Sequence, residues 1–298
     1  MTVLRLGLLQ YGVTRIASLG AFAAKFDALV AEGAAGADLL VMPEYACMEV
    51  AAADTRGIAS PQEELRAVCA RTGALLDLMR ASAMRHRVWL LPGSLPWPDP
   101  DGTVRNRAPL IAPDGAVAFQ DKRVMTRFET EQWGVRAGAP PAVFDTPWGR
   151  IGIAVCYDVE FPPLVRAQVE AGAWLILTPA CTDTLHGFNR VAVSAQARAL
   201  ENQCYVAIAP TVGDAPWLAT LDANRGHAAV YGPIDRGFPP DGVLARGPLD
   251  MPGWVFASLD PDRLASVRQD GAVRNHRDWP DAVPDATPAT WATARATE

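Results

Sequence analysis

Short apolar runs and longer stretches of helical spacing alternate along this chain. Apolar residues dominate positions 3–10, 39–42, 88–91 and 174–177, each too short for a typical helix, so each predicts a buried strand. A strand through 208 and further strands at 227–231 and 254–259 complete the set. Residues 17–31 are rich in alanine and predict a helix. Leu65, Cys69, Leu76 and Met79 recur at helical spacing and predict one long amphipathic helix over 61–85. Pro162 and Pro163, tolerated in a first turn, open a helix that runs to 171, and 188–202 reads as another. Pro113, Asp114 and Gly115 mark the turn of a hairpin over 105–122, and Pro147 and Gly149 that of a second over 144–151. Residues 92–107 carry four prolines and read as an irregular excursion. Helices and strands alternate with hairpins interposed, which predicts an α/β domain with mixed rather than purely parallel sheets.

Composition narrows the function classes. The 298 residues, 50% of them hydrophobic, suffice for a large single core. A formal net charge of −6 and the lack of a long basic run argue against a nucleic-acid partner. No apolar stretch approaches the length of a membrane span, and the N-terminus enters a strand at once, so neither an anchor nor a signal peptide is expected. Five cysteines at irregular spacing do not suggest a disulfide framework. Cys47, Cys69, Cys181 and Cys204 read as small packing residues, and a reducing cytoplasm is the expected compartment. Residues 280–298, rich in Pro, Ala, Thr and Asp, lack apolar periodicity. They read as a tail or interface arm after a domain of 1–279.

Three residues carry candidate chemistry because each closes an apolar run. Cys156 ends the run Gly152 to Val155, ahead of the helix at Pro162. A thiol at a strand end can be exposed on a rigid platform, where a helix N-terminus or a nearby cation holds the sulfur as a usable nucleophile. A packed core cysteine is the competing reading. Glu44 ends the run from 37, where it reads equally as a solvated carboxylate. Lys122 ends the strand-like run from 118, where it reads equally as a charge blunting a sheet edge.

Taken together, the blocks MPEY around Glu44, DKRV around Lys122, GIAVCYDVEFP around Cys156 and RALENQCYV over 198–206 resemble the nitrilase superfamily of carbon–nitrogen hydrolases. The resemblance runs from about 3 to about 279. It implies an α-β-β-α sandwich, two mixed sheets with helices on their outer faces. It implies that Glu44 is the general base, Lys122 the electrostatic stabiliser and Cys156 the nucleophile. A second glutamate of the family matches Glu129, with Glu131 close by as the alternative. The resemblance also implies a homodimer or larger homo-oligomer. A narrower likeness, over 230–239, is to a branch of the superfamily that can be fused to an acetyltransferase domain, for which this chain has no room.

The chemistry stands on ordinary principles. A free thiol has a pKa of about 8.5, so little is thiolate at neutral pH. A carboxylate beside it raises that pKa but can take the proton as sulfur attacks the substrate carbon. Lys122 and the backbone N–H of Tyr157 would then hold the oxyanion, each such donor being worth roughly 3–4 kcal/mol of barrier. Glu44 would pass its proton to the leaving amine and later activate water against the thioester. No metal or cofactor enters this scheme. Four histidines, His86, His186, His227 and His276, lack zinc-site spacing. His86 reads as a surface residue. His186 and Asp183 fall in a loop at the expected active-site mouth and are candidate substrate contacts.

Substrate choice is read less directly. Tyr157 and Asp158 follow Cys156 where true nitrilases show Cys-Trp-Glu, which favours an amide over a nitrile and resembles omega-amidases. Tyr45, Trp133 and Tyr157 are candidates for an apolar acyl pocket, or core aromatics. Arg127, Arg190 and Arg198 are candidates for a substrate carboxylate, although Arg198 is spaced to pair with Glu201 on a helix. The small-molecule partner is thus expected to be an amide, or alternatively a nitrile or an acyl donor to another acceptor. A catalytically silent binding protein is the contrasting class, against which the presence of all three residues argues.

Overall fold

Every position of the strands at 39–41 and 175–180 is buried, so neither shows the alternation of a half-solvated strand: both of their faces are covered. The computed structural model describes residues 2–53 and 60–282. The chain opens with β1 (Leu4–Gly12), α1 (Leu19–Ala34), β2 (Leu39–Val41), α2 (Pro61–Cys69) and α3 (Thr72–His86). Next come β3 (Trp89–Leu91), β4 (Leu95–Pro98), β5 (Val104–Ile111), β6 (Val117–Asp121), β7 (Val143–Thr146) and β8 (Gly149–Ile153). Then follow α4 (Pro162–Glu170), β9 (Leu175–Ala180), α5 (Leu185–Asn202) and β10 (Tyr205–Asp214). Last are β11 (Ala223–Asn224), β12 (Ala229–Tyr231), β13 (Val243–Arg246), β14 (Gly253–Leu259), α6 (Pro261–Asp270) and α7 (Asn275–Asp278).

The strands form one curled path, β4-β5-β3-β2-β1-β10-β9-β8-β7. The link between β1 and β10 is only Tyr11 opposite Thr211 and Gly12 opposite Val212, at the strand ends. On either side of that link lies a mixed sheet. In one, β1, β2 and β3 are parallel while β14, β5, β4 and β6 pair antiparallel. In the other, β8, β9 and β10 are parallel, β7 and β12 run against them, and β13 pairs antiparallel with β12. Leu4, Leu6, Leu8, Leu39 and Val41 of the first share a core with Ile151, Ile153, Leu175 and Leu177 of the second. On the far face of the first sheet, Phe22, Phe26 and Val30 of α1, Val68 of α2 and Leu75 and Met79 of α3 pack on Leu9, Leu40, Met42 and Leu90. Val165 and Val169 of α4 and Val191, Ala195 and Ala199 of α5 join the core around the second sheet. The architecture is the expected α-β-β-α sandwich. Among the described residues, no helix is long and apolar enough to cross a membrane.

Three sequence expectations are corrected, and two elements are not predicted. The long helix over 61–85 is two, broken at Ala70 and Arg71. The Thr72 hydroxyl donates to the Cys69 carbonyl at 3.1 Å and the Pro96 carbonyl at 3.1 Å, in competition with the helical ladder. The apolar spacing carries across the break, which hides it. The excursion at 92–107 contains β4, paired with β5 from Leu95 opposite Arg107 to Pro98 opposite Val104. Its prolines are tolerated because β4 is an edge strand. His86 is half-buried rather than at the surface, with its Nε2 3.1 Å from Asp27. β13 and α6 escape the apolar-run reading, β13 because no position in it is fully buried. Most of the expected tail, from 283 on, lies outside the described residues.

Candidate active site

Three strand ends from the two sheets converge. Glu44 lies three residues past β2 and is held at the backbone: the Tyr45 N–H donates to the Ser94 carbonyl at 2.9 Å. That approach depends on Gly93, at φ +86, where an added Cβ would lie 1.8 Å from the Pro43 oxygen. Lys122 directly follows β6, its N–H donating to the Asn106 carbonyl at 2.8 Å and its carbonyl accepting from Gly138 at 3.0 Å. Cys156 opens the short helical turn Cys156–Glu160 beyond β8 and adopts φ +49, a left-handed conformation unusual for a side chain with a Cβ.

The side chains meet in a buried cluster. Lys122 Nζ donates to Glu44 Oε1 at 2.8 Å and Glu129 Oε2 at 2.7 Å. Asn106 Nδ2 donates to the same two residues, at 2.7 and 3.0 Å. The Cys181 N–H donates to Glu44 Oε2 at 3.1 Å, and the Cys181 carbonyl lies 3.6 Å from Cys156 Sγ. Glu44, Lys122, Glu129 and Cys156 are each no more than 3% exposed, so their charges act on one another with little help from water. Thr126 donates to Glu129 Oε2 through both its N–H and its hydroxyl at 2.9 Å. The Tyr45 hydroxyl donates to Glu129 Oε1 at 2.9 Å.

Burial and charge set the resting proton positions. Burial raises the Glu44 pKa, which Lys122 opposes and neighbouring Glu129 reinforces, and the net direction is upward. For Glu129 burial also pushes upward, but Lys122 and the Thr126 and Asn106 donors outweigh it and the pKa is lowered. Burial alone would lower Lys122, yet Glu129 and Glu44 hold it well above the ordinary ammonium range. Glu129 is therefore the fixed counter-charge and Glu44 the carboxylate nearer to accepting a proton. Burial and then the Glu44 charge hold the Cys156 thiol well above its ordinary pKa, against the smaller pull of Lys122. The resting sulfur is a thiol. Of the two aids expected for this sulfur, the helix at Pro162 begins six residues further on, whereas the Lys122 charge does act on it, lowering its pKa against the larger effects of burial and Glu44.

These groups line a cavity of about 680 Å³ whose wall also includes Tyr45, Trp133, Tyr157 and Asp183. Trp133 meets Tyr45 edge-on at 5.2 Å between ring centroids, and Tyr157 meets Phe161 edge-on at 4.8 Å. Asp183 is exposed at the mouth. His186 is not in a loop: Thr184 caps α5 one residue ahead of Leu185, so His186 lies exposed in its first turn, and the lining passes from Asp183 to Gly187. Arg127 and Arg190 line the cavity, paired with Glu131 at 2.9 Å and Glu160 at 3.5 Å. Arg198 instead pairs with Glu201 at 2.8 Å. Glu131 is exposed, and Glu129 is the glutamate that reaches Lys122.

Sequence reasoning misses Asn106, Thr126 and Asp158, and reads Cys181 only as a packing residue. The Asp158 carboxylate accepts the N–H groups of Arg123 at 2.9 Å and Val124 at 2.8 Å, and burial pushes its pKa up to about 6 against those donors. Cys181 lines the cavity and contributes both backbone groups to the cluster. Asn106 had one visible signal, an amide side chain inside an otherwise strand-like run. Among the described residues, no group of three or more His, Cys, Asp or Glu could hold a metal ion.

The chain belongs to the carbon-nitrogen hydrolase family, whose sequence model matches residues 5–269. It is 32% identical, over 92% of its length, to the probable hydrolase YhcX of Bacillus subtilis, and spans 53% of that protein. It is 31% identical, over 81% of its length, to a deaminated glutathione amidase of Synechocystis, of which it covers 86%. An amidase from Nesterenkonia sp. AN1, solved as a double mutant in complex with acrylamide, matches with a TM-score of 0.70 at 26% identity, over 93% of this chain and 97% of that one. These likenesses place the chain in the nitrilase superfamily, with amidases among its relatives and structural neighbours.

Proposed function

We propose that this hydrolase cleaves the amide of a small carboxylic acid to the acid and ammonia or an amine, through a thioester on Cys156. The observation that carries the reading is a single ammonium, Lys122 Nζ, held between Glu44 and Glu129 at 2.8 and 2.7 Å beside the Cys156 thiol at a cavity wall. Glu44, the carboxylate whose pKa is raised, takes the Sγ proton as sulfur attacks the amide carbon. Lys122 Nζ and the Tyr157 N–H receive the oxyanion. The C–N bond breaks as Glu44 returns its proton to the nitrogen, leaving the thioester. Water then attacks that carbon, giving its proton to Glu44. The acid leaves as the proton returns to Cys156 sulfur. Glu129 keeps Lys122 charged and in place throughout.

The amidase from Nesterenkonia supports a nucleophilic cysteine: in a Glu-to-Gln mutant of that enzyme the active-site cysteine carries the acetamide moiety of fluoroacetamide by covalent addition. The test is a panel of small amides and matching nitriles, with ammonia and acid measured and intact mass read on quenched enzyme. Amide turnover with an acyl mass adduct on Cys156 is expected, and hydroxylamine should divert the acyl group to a hydroxamate. Turnover of nitriles in preference to every amide, or turnover that survives Cys156→Ala, would overturn it.

A further inference from the structure

We infer that Glu64, outside the Lys122 cluster, is a positioning residue that limits how bulky an acyl group the cavity admits, by pinning the segment that forms one of its walls. The inference rests on the proposed substrate cavity. Glu64 lies in the first turn of α2 and is 1% exposed. Its Oε1 accepts the Ala219 N–H at 2.7 Å, and its Oε2 accepts the Thr220 N–H at 2.9 Å and the Thr220 hydroxyl at 2.6 Å. Ala219, Thr220, Asp222 and Ala223 line the cavity. Leu218 and Leu221, each 1% exposed, anchor the same segment in the core that holds Leu65.

A buried carboxylate that takes three donors from two adjacent residues sets their position more tightly than apolar contact does, because such charge-assisted bonds are short and directional. The same helix also reaches a second stretch of the lining, where Gln62 Nε2 donates to the Gln132 carbonyl beside Trp133. Two side chains two positions apart on α2, Gln62 and Glu64, thus brace two separate stretches of the lining. The reacting cluster has holds of its own in Asn106, Thr126 and Cys181, whose bonds to Glu44 and Glu129 do not pass through Glu64. Loosening the Glu64 brace should therefore change which acyl groups fit and leave the chemical step on the smallest one alone.

The test compares the wild-type enzyme with Glu64→Gln, whose amide presents an NH2 to the N–H and O–H donors where the carboxylate presented an acceptor. One arm measures kcat/KM for acetamide, butyramide and phenylacetamide. The other measures alkylation of Cys156 by α-bromoamides with acyl groups of the same order of size, which reads access to the sulfur without turnover. In Glu64→Gln the phenylacetamide-to-acetamide ratio should rise at least about ten-fold in both arms, with acetamide turnover within about two-fold of wild type. A ratio that stays the same or falls, or an equal loss for all amides, overturns the inference. If the wild-type enzyme hydrolyses no amide, the proposed function fails by itself and the alkylation ratio still decides the role of Glu64. If Glu64→Gln does not fold, Thr220→Val removes only the hydroxyl bond and should raise the same ratio by less; no rise in that variant overturns the inference equally.

Discussion

The Asp158 carboxylate accepts the backbone N–H of Arg123 at 2.9 Å, tying the turn that carries Cys156 to the turn that carries Lys122. The two turns leave different sheets: Lys122 follows β6, and Cys156 follows β8. Their mutual placement therefore cannot come from a shared strand ladder. A second bond, from the Val124 N–H at 2.8 Å, makes the tie bidentate. The tie also helps hold Cys156 at φ +49, since Asp158 lies in the same short turn and its N–H donates to the Val155 carbonyl at 3.0 Å.

Asp158 gives a pH signature. Its pKa rises from 3.8 in the open chain to about 6 in the fold, with burial as the cause. The folded state thus holds this proton more tightly than the unfolded chain does. The group's contribution to stability is fully present below pH 4 and is lost as the pH rises through 6. Asp158→Asn cannot titrate, so the stability of wild type relative to the variant should grow as pH falls from 7 to 4. The gain is at most about 3 kcal/mol, at roughly 1.4 kcal/mol for each pH unit between the two pKa values. Urea unfolding of both proteins across that range reads the difference, and a flat difference would contradict the assignment.

Cys156→Ala should abolish amide turnover while shifting the thermal midpoint by no more than about 5 °C, because one small buried group is lost. Cys156→Gly should be equally inactive but no less stable than the alanine variant, by up to about 1 kcal/mol. Glycine meets no Cβ clash at φ +49. Calorimetry on the two variants separates the backbone term from the lost thiol. An alanine variant more stable than the glycine one would show that the left-handed turn carries no strain.

Glu44, Lys122 and Cys156 were legible as candidates in the sequence because each closes an apolar run with a reactive group, and as a set only because the blocks around them together resemble one family. The layered fold was legible for a related reason: runs such as Leu39 to Val41 are too short for helices and too apolar for loops. What stayed hidden depends on partners remote in sequence. Asn106 gains its role only when β5 lies beside Glu44, 62 residues earlier. Asp158 gains its role only when a turn 35 residues upstream presents its N–H groups. β4 was masked by its prolines, which an edge strand tolerates and an interior one does not. The break between α2 and α3 was masked because the two helices keep one apolar face.

Glu129 and Glu131 are distinguished by what they touch. Glu129→Gln replaces the carboxylate that accepts from Lys122 Nζ at 2.7 Å, and should lower kcat about a hundred-fold or more. Glu131 is exposed and pairs with Arg127 on the same turn, so Glu131→Gln should stay within about two-fold of wild type, as for most surface pairs. Steady-state kinetics on one amide suffices. Equal losses in the two variants would mean that charge at the cavity rim, and not the Lys122 contact, sets the rate.

Lys122 has a structural role that can be separated from its chemical one. Lys122→Met leaves Glu44 and Glu129 buried and facing each other without their cation, and breaking a buried pair in this way costs about 3–5 kcal/mol. Without the ammonium, burial and mutual repulsion raise both carboxyl pKa values above those of the unfolded chain. Their contribution is then favourable at low pH and is lost as the pH rises, so the variant should be weakest at neutral pH and recover toward pH 5. Adding Glu129→Gln removes one of the two charges and should restore part of the stability at pH 7, while turnover stays absent in both variants. Denaturant unfolding at pH 5 and pH 7, alongside an ammonia assay, tests each step. A single variant as stable as wild type at pH 7 would show that these carboxylates need no neighbouring cation, which is incompatible with the ion-paired cluster from which the reaction scheme is built.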